Sequence, residues 1–223
     1  MMPSDDDWEE TGAPGPRVIP VFPLAGGILL PRGNLPLNIF EPRYLAMVRD
    51  ALASDRVIGM IQPRDPASSA FEPPLYEIGC LGRITEHRNL PDGRMLITLH
   101  GVCRFEILSE EARHTPYRKV QASYARFARD RSGGESLPVE RRERLIANLQ
   151  RFLEDRQLTA DWSVIGEAPD ETLVNALAMI CPFEPSEKQA LLEADSLDAR
   201  ASTLIMLMEF ALAEANDTGG GLH

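Results

Sequence analysis

The sequence predicts an α+β chain in which a β-rich first half is followed by a helical second half. Three observations carry this. Apolar residues alternate with period two in the first half, as at Leu35, Leu37 and Ile39, which is the spacing of a strand. From Pro138 onward they recur every three to four residues, the spacing of a helix. Between the two lies 130–137, Asp-Arg-Ser-Gly-Gly-Glu-Ser-Leu, with the composition of a linker. The expected organisation is an acidic arm over 1–17, a β domain over 18–129, the linker over 130–137, a helical subdomain over 138–216 and a flexible tail over 217–223.

Each element has its own signal. The arm is rich in Asp, Glu, Gly and Pro and offers little to bury. Val18 to Leu24 is apolar but broken by Pro20 and Pro23, which suits an edge or irregular strand. Gly26-Gly27 permits a tight turn, and Leu35 to Phe40 continues as a strand. At Glu41-Pro42 the period changes. Proline fits the first helical position, and Glu41 sits where the helix dipole favours negative charge. Leu45, Val48 and Leu52 then mark a helix over about 42–53. Arg56 to Ile61 reads as a short strand, and the prolines of 63–75 as a loop. Tyr76 to Leu90 is a strand, and Pro91-Asp92-Gly93-Arg94 a hairpin turn, since Asp-Gly tolerates positive φ. Met95 to His100 pairs back and places His87 opposite Leu96 to Thr98. Gly101 is expected to break this strand before Val102 to Ser109 resumes it, with Cys103, Phe105 and Ile107 on one face. Tyr117 to Phe127 reads as a further strand. In the second half, helices are expected over 138–156, 170–180, about 186–194 and 196–216. The third opens on a capping box of Ser186 and Gln189.

Composition narrows the function classes. Hydrophobic residues make up 43% and charged residues 26% of 223, so a core can form without disulfides or metal. The net charge is −11 and unevenly spread. Residues 18–137 hold 13 acids and 15 bases, whereas 138–223 hold 16 acids and 7 bases. The bases are almost all Arg, those of the first half are scattered singly, and nucleic-acid binding requires them clustered. Cys80, Cys103 and Cys181 form no CxxC, which argues against a structural zinc site and for small buried thiols in a reducing compartment. The amino terminus has no apolar stretch of signal-peptide type, and no run approaches the ~18 apolar residues of a membrane span. A soluble, cytoplasmic protein is expected. Phosphate-binding, dinucleotide, nucleophile-elbow and zinc-protease motifs are missing from the sequence. His87, His100, His114 and His223 are too dispersed for a metal site. We therefore expect no cofactor, no metal and no catalysis.

Several segments, in order, resemble the amino-terminal substrate-binding domain of the Lon protease family. They are Ile19-Pro20-Val21-Phe22-Pro23-Leu24, Leu29-Leu30-Pro31, and Leu35-Pro36-Leu37-Asn38-Ile39-Phe40-Glu41-Pro42-Arg43-Tyr44. Leu75-Tyr76-Glu77-Ile78-Gly79-Cys80, Leu90-Pro91-Asp92-Gly93-Arg94 and Gly101-Val102-Cys103-Arg104-Phe105 follow. Glu187 to Glu193 and Arg200 complete the set. The resemblance covers about 18–212 and implies a PUA-like β pseudo-barrel followed by a small α-helical bundle. It implies binding of unfolded or extended polypeptide, in an adaptor or holdase role beside a protease or chaperone. Neither an ATPase nor a protease domain has room in 223 residues, so the chain is expected to stand alone as a binding module.

Candidate binding residues are Phe22, Leu30, Pro31, Phe40, Glu41, Arg43, Tyr44, Phe71, Tyr76 and Arg104. Most also have a structural reading: Phe22 as core, Phe71 and Tyr76 as loop anchors, and Glu41 paired with Arg104 to tie the helix start to the barrel. The alternatives are an RNA-binding PUA-like protein, which would show steeply salt-dependent binding, and a pocket for a small molecule or a reaction.

Overall fold

Six strands come from the first half, and five of them close into a ring. The computed structural model describes residues 15–219 apart from 69, 71 and 113, with side chains to 214. The expected arm is thus described only from residue 15, and the tail only to Gly219. The chain divides into two units, one ending at Gly133 and one beginning at Gly134.

The first unit holds β1 (Arg17–Pro23), β2 (Asn34–Ile39), α1 (Pro42–Leu52), β3 (Val57–Ile61), β4 (Ile78–Asn89), β5 (Met95–Glu110) and β6 (Lys119–Ser123). The order is β2-β5-β4-β3-β1-β6, and β6 returns to β5. The expected α+β class with a β pseudo-barrel is therefore what forms. β1 is not an edge, contrary to its proline content. It pairs with β6 over Arg17–Pro20 and with β3 over Val21–Pro23. Pro20, which has no amide hydrogen, sits where the strand changes partner, so the ring loses little by it.

β5 does not break at Gly101. It runs on for sixteen residues, and the register against β4 shifts by one, from Leu81↔Cys103 to Gly82↔Gly101. Val102 is the extra residue of a bulge. Gly101 is needed for a different reason: a Cβ there would lie 1.9 Å from the Leu30 carbonyl oxygen. The loop before β2 is bonded to this point, Arg32 N–H to the Gly101 carbonyl at 2.8 Å and Gly101 N–H to the Gly33 carbonyl at 2.8 Å. At the hairpin, Gly93 has φ +88°, and His87 stands opposite Ile97.

Phe105, fully buried, fills the barrel among Ile19, Val21, Ile61, Leu81, Val120 and Tyr124. A Cβ at Gly59 would meet its Cζ at 2.9 Å and one at Gly79 at 2.6 Å. The ring thus occupies space that two glycines leave open.

Strand β6 stops at Ser123, short of the expected Phe127, and Ala125–Arg131 is a 3₁₀ helix. Asp130 and Arg131, assigned to a linker from composition, complete that helix. The expected Glu41–Arg104 pair does not form. Arg104 meets Asp130, whose Oδ2 accepts from the Arg104 backbone N–H (2.9 Å) and Nε (2.8 Å) and whose Oδ1 accepts from Nη2 (2.7 Å). Only 6% and 8% of these side chains is exposed, and the guanidinium lies 4.3 Å over the Phe127 ring. A half-buried Glu41 has its partner two residues away, in Arg43 (2.9 Å). The buried Arg104 requires an equally buried carboxylate, which among the described residues Asp130 of the 3₁₀ helix supplies.

The second unit consists of α2 (Val139–Asp155), α3 (Trp162–Glu167), α4 (Asp170–Ile180), α5 (Pro185–Glu193) and α6 (Leu197–Gly219). The α3 helix has no buried residue and no periodicity to find; Asp161 caps it. α5 begins at Pro185, and its capping box is Glu184 with Glu187 (2.8 Å), not Ser186 with Gln189. Gln189 is buried and donates to Glu193 at 2.7 Å. Lys188 donates to the Met179 carbonyl at 3.0 Å, and Arg200 to the Leu191 carbonyl and Asn175 Oδ1, both at 2.9 Å. Leu204, Ile205 and Met208 are buried on α6.

Candidate functional site

α1 begins at Pro42 with Glu41 as its N-cap residue. Its buried face is Tyr44, Met47, Val48 and Ala51, one residue ahead of the expected Leu45, Val48 and Leu52. That rotation turns Tyr44 inward, where its ring meets Phe22 of β1 edge-on at 4.4 Å. Arg43 then folds back, its guanidinium 4.5 Å over the Tyr44 ring and hydrogen-bonded to Glu41. Four sequence candidates, Phe22, Glu41, Arg43 and Tyr44, are thus brought together.

Arg43 and Tyr44 line a pocket of about 160 Å³ whose other walls include Pro23, Pro63, Pro73 and Tyr117. A neighbouring pocket of about 290 Å³, which includes Glu111, Ala112 and His114, shares Glu72, Tyr117 and Arg118 with the first. A third, of about 170 Å³, lies between β1 and α1 and again includes Tyr117. The three meet at Tyr117 as a stepped groove across the outside of the barrel.

The walls are held in place. Tyr117 Oη donates to Asp50 Oδ2 at 2.6 Å, and burial with this bond keeps the phenol protonated well above its ordinary range. Burial likewise pushes the Tyr44 phenol up, although Arg43 works against it. Arg118 bonds Glu110 at 3.0 and 2.5 Å and donates to the Pro73 carbonyl at 2.7 Å, which stitches the 63–75 loop to β6. Arg64 closes the stem of that loop on Leu75 and Glu77. The groove therefore presents proline rings, neutral phenols and a rim of both charges (Arg43, Arg118 and Lys119 against Glu72, Glu110 and Glu111).

The other candidates fall elsewhere. Leu30, Pro31 and Arg104 are buried and have no surface for a ligand. Tyr76 is half-buried beneath Arg64, 5.9 Å from its ring centre. Phe40 is 65% exposed at the end of β2. Phe71 lies outside the described residues. Tyr117 and Arg118 were not among the candidates; the signals for them were Pro116-Tyr117-Arg118 before a strand and the proline density of 63–75.

Among the described residues no group of three or more His, Cys, Asp or Glu is placed to hold a metal ion. All three cysteines are buried as free thiols. Burial raises Cys103 to about 12 and Cys181 to about 11, so neither is an activated thiolate. No helix among the described residues is long and apolar enough to cross a membrane.

Comparison with known proteins gives a concordant picture. The family model of the ATP-dependent protease La (LON) substrate-binding domain matches residues 18–209. Lon protease 2 of Myxococcus xanthus is 25% identical over 202 residues, covering 86% of this chain and 24% of that protein. Lon protease of Anaeromyxobacter dehalogenans is 26% identical over 205 residues, covering 86% and 23%. The chain thus spans about a quarter of the length of the curated relatives it matches. The crystal structure of a Lon N-terminal domain protein from Xanthomonas campestris is similar with a TM-score of 0.62 at 22% identity, over 85% of this chain and 98% of that one. The N-terminal domain of Mycobacterium avium complex Lon protease matches with a TM-score of 0.62 at 16% identity, over 86% and 98%. At these identities the structures establish the shared fold.

Proposed function

The chain belongs to the ATP-dependent protease La (Lon) substrate-binding domain family, and from that premise we propose that it binds unfolded or extended polypeptide segments in the groove around Tyr117. The observation that carries the proposal is the meeting of three pockets at one buried, hydrogen-bonded tyrosine. An extended polypeptide places alternate side chains about 7 Å apart on one face, and stepped pockets with apolar walls suit that repeat. Pockets of 160–290 Å³ are smaller than the ~300–1,000 Å³ typical of drug-sized ligands. The proposal extends to a non-catalytic adaptor or holdase role in the cytoplasm, with a protease or chaperone as the receiving partner.

The test is fluorescence anisotropy of a labelled, permanently unfolded protein titrated with this chain and with Ala70→Trp and Ala112→Trp. Both positions are exposed and line the groove. A labelled RNA runs in parallel at low and high salt. The expected result is saturable binding little weakened by salt, and reduced about tenfold, or ~1.4 kcal/mol, by each tryptophan with the circular dichroism unchanged. Unaltered affinity in both variants, or binding of RNA alone that collapses with salt, would overturn the proposal.

A further inference from the structure

Helix α6 is apolar on two faces. One, with Ala201, Leu204, Ile205, Met208 and Leu212, is buried against α2, α4 and α5. The other comprises Ala199, Thr203, Met206, Phe210 and Ala213. At 3.6 residues per turn these five fall in one line, with spacings of four, three, four and three residues. That is the seam of a helix that packs against another helix. Met206 is 61% exposed and Phe210 57%, whereas side chains this large on an ordinary helix face turn inward. Thr203 Oγ1 donates to the Ala199 carbonyl at 3.0 Å, so the line shows a partner only apolar surface and a satisfied hydroxyl. None of the five is charged.

The electrostatics of the helical unit identify the partner's chemistry. It carries sixteen acidic and seven basic residues from 138 on. Four of the bases are already bonded to carboxylates: Arg141 to Asp198, Arg142 to Asp170, Arg144 to Glu209 and Arg156 to Asp155. Lys188 and Arg200 are buried on carbonyls and an amide oxygen. The unit keeps an excess of nine acidic over basic residues, and on the wheel Glu214 borders the seam on one side and Glu209, bonded to Arg144, on the other. A second copy would bring two such surfaces together and be repelled. A helix with apolar residues at the same heptad spacing and Lys or Arg beside them would be drawn in.

We propose that the exposed α6 seam, centred on Met206 and Phe210, docks an amphipathic helix of a partner protein that bears basic residues flanking its apolar stripe. The seam runs about 21 Å from Ala199 to Ala213 at 1.5 Å per residue. A contact confined to one helix face of that length belongs with the transient complexes, below about 1,200 Å² in total. The seam shares no residue with the groove at Tyr117, and the proposal stands independently of the role assigned there.

Three labelled peptides of one length test it: leucine at the a and d positions with lysine and arginine beside them, the same composition with the leucines scattered, and the leucine pattern with glutamate in place of the bases. Each is titrated by anisotropy at low and high salt against the full chain and against Met206→Glu and Phe210→Glu, while sedimentation velocity follows the chain alone. The patterned basic peptide is expected to bind saturably, to weaken with salt, and to lose about tenfold or more (~1.4 kcal/mol per tenfold) in each variant. Binding of the unfolded protein in the groove is expected to be unchanged by these variants, which separates failure here from failure there. Equal binding of the scattered or acidic peptide, no loss in the variants, or a wild-type dimer dissolved by Phe210→Glu would each overturn the proposal.

Discussion

Replacing Phe105 by alanine should change the sign of a second substitution elsewhere in the barrel. The ring is fully buried, and its removal alone costs about 3–5 kcal/mol, the range for aromatic-to-alanine changes in cores. In the intact protein Gly59→Ala forces a methyl to 2.9 Å from both Phe105 Cζ and Ile19 Cδ1, an overpacking of about 1–3 kcal/mol. With the ring gone, that methyl enters the cavity and partly fills it, so Gly59→Ala becomes neutral or stabilising. Gly79→Ala is the control, because its methyl would also lie 2.5 Å from the Met60 carbonyl oxygen. Backbone of a paired strand does not retreat when Phe105 is shortened, so this cost should persist in both backgrounds. Urea unfolding followed by circular dichroism on the three single and two double variants, beside the unaltered protein, gives the coupling energies. A Gly59→Ala cost equal in both backgrounds, within about 0.5 kcal/mol, would refute the claim that the ring occupies the glycine's space.

Acid should act on the helical unit through Asp170. Burial opposes ionisation of its carboxyl, but the Leu137 amide and Arg142 outweigh it and hold the group below the ordinary carboxylate range. A depressed folded value means the contribution is complete above the unfolded value of about 3.9 and is lost as the pH falls through the folded one. Asp170→Asn should therefore flatten the dependence of stability on pH below about 4, measured by thermal unfolding across a pH series; an unchanged slope would contradict the assignment. The thiols should be silent in the native state. With Cys103 raised to about 12 and Cys181 to about 11, and all three buried, a disulfide reagent at pH 8 should release its chromophore only after denaturant is added.

Much of the architecture can be read from periodicity alone. The alternation of Leu35, Leu37 and Ile39, the Pro42 start of α1 and the Asp92-Gly93 turn depend on neighbours in sequence, and each stands where local chemistry puts it. The departures come from distant partners. Pro20 looks like an edge residue until β1 is seen to change partners there, and Gly101 looks like a break until the Leu30 carbonyl is found against it. Arg104 and Asp130 are twenty-six residues apart, with nothing local to join them. Among site candidates, Phe22, Glu41, Arg43 and Tyr44 converge because a helix start and an adjacent strand bring them together. Leu30, Pro31 and Arg104 carry the family resemblance through packing. Tyr117 was overlooked because its significance arises from α1 and the 63–75 loop, neither of which is near it in the chain.

The change of partner at Pro20 sets an order of events during synthesis. β4 and β5 are joined by a short turn and can pair as soon as they emerge. The second half of β1, Val21–Pro23, can pair as soon as Gly59–Ile61 of β3 emerges, but its first half, Arg17–Pro20, pairs with Lys119–Ala122 of β6, roughly a hundred residues later. At a translation rate of about 5–20 residues per second, that first half waits some 5–20 seconds with Ile19 unpaired. The ring can close only when β6 arrives, and until then the nascent chain exposes an apolar strand of its own. A segment caught in that interval has the same extended, unpaired character as the polypeptides this chain is proposed to bind.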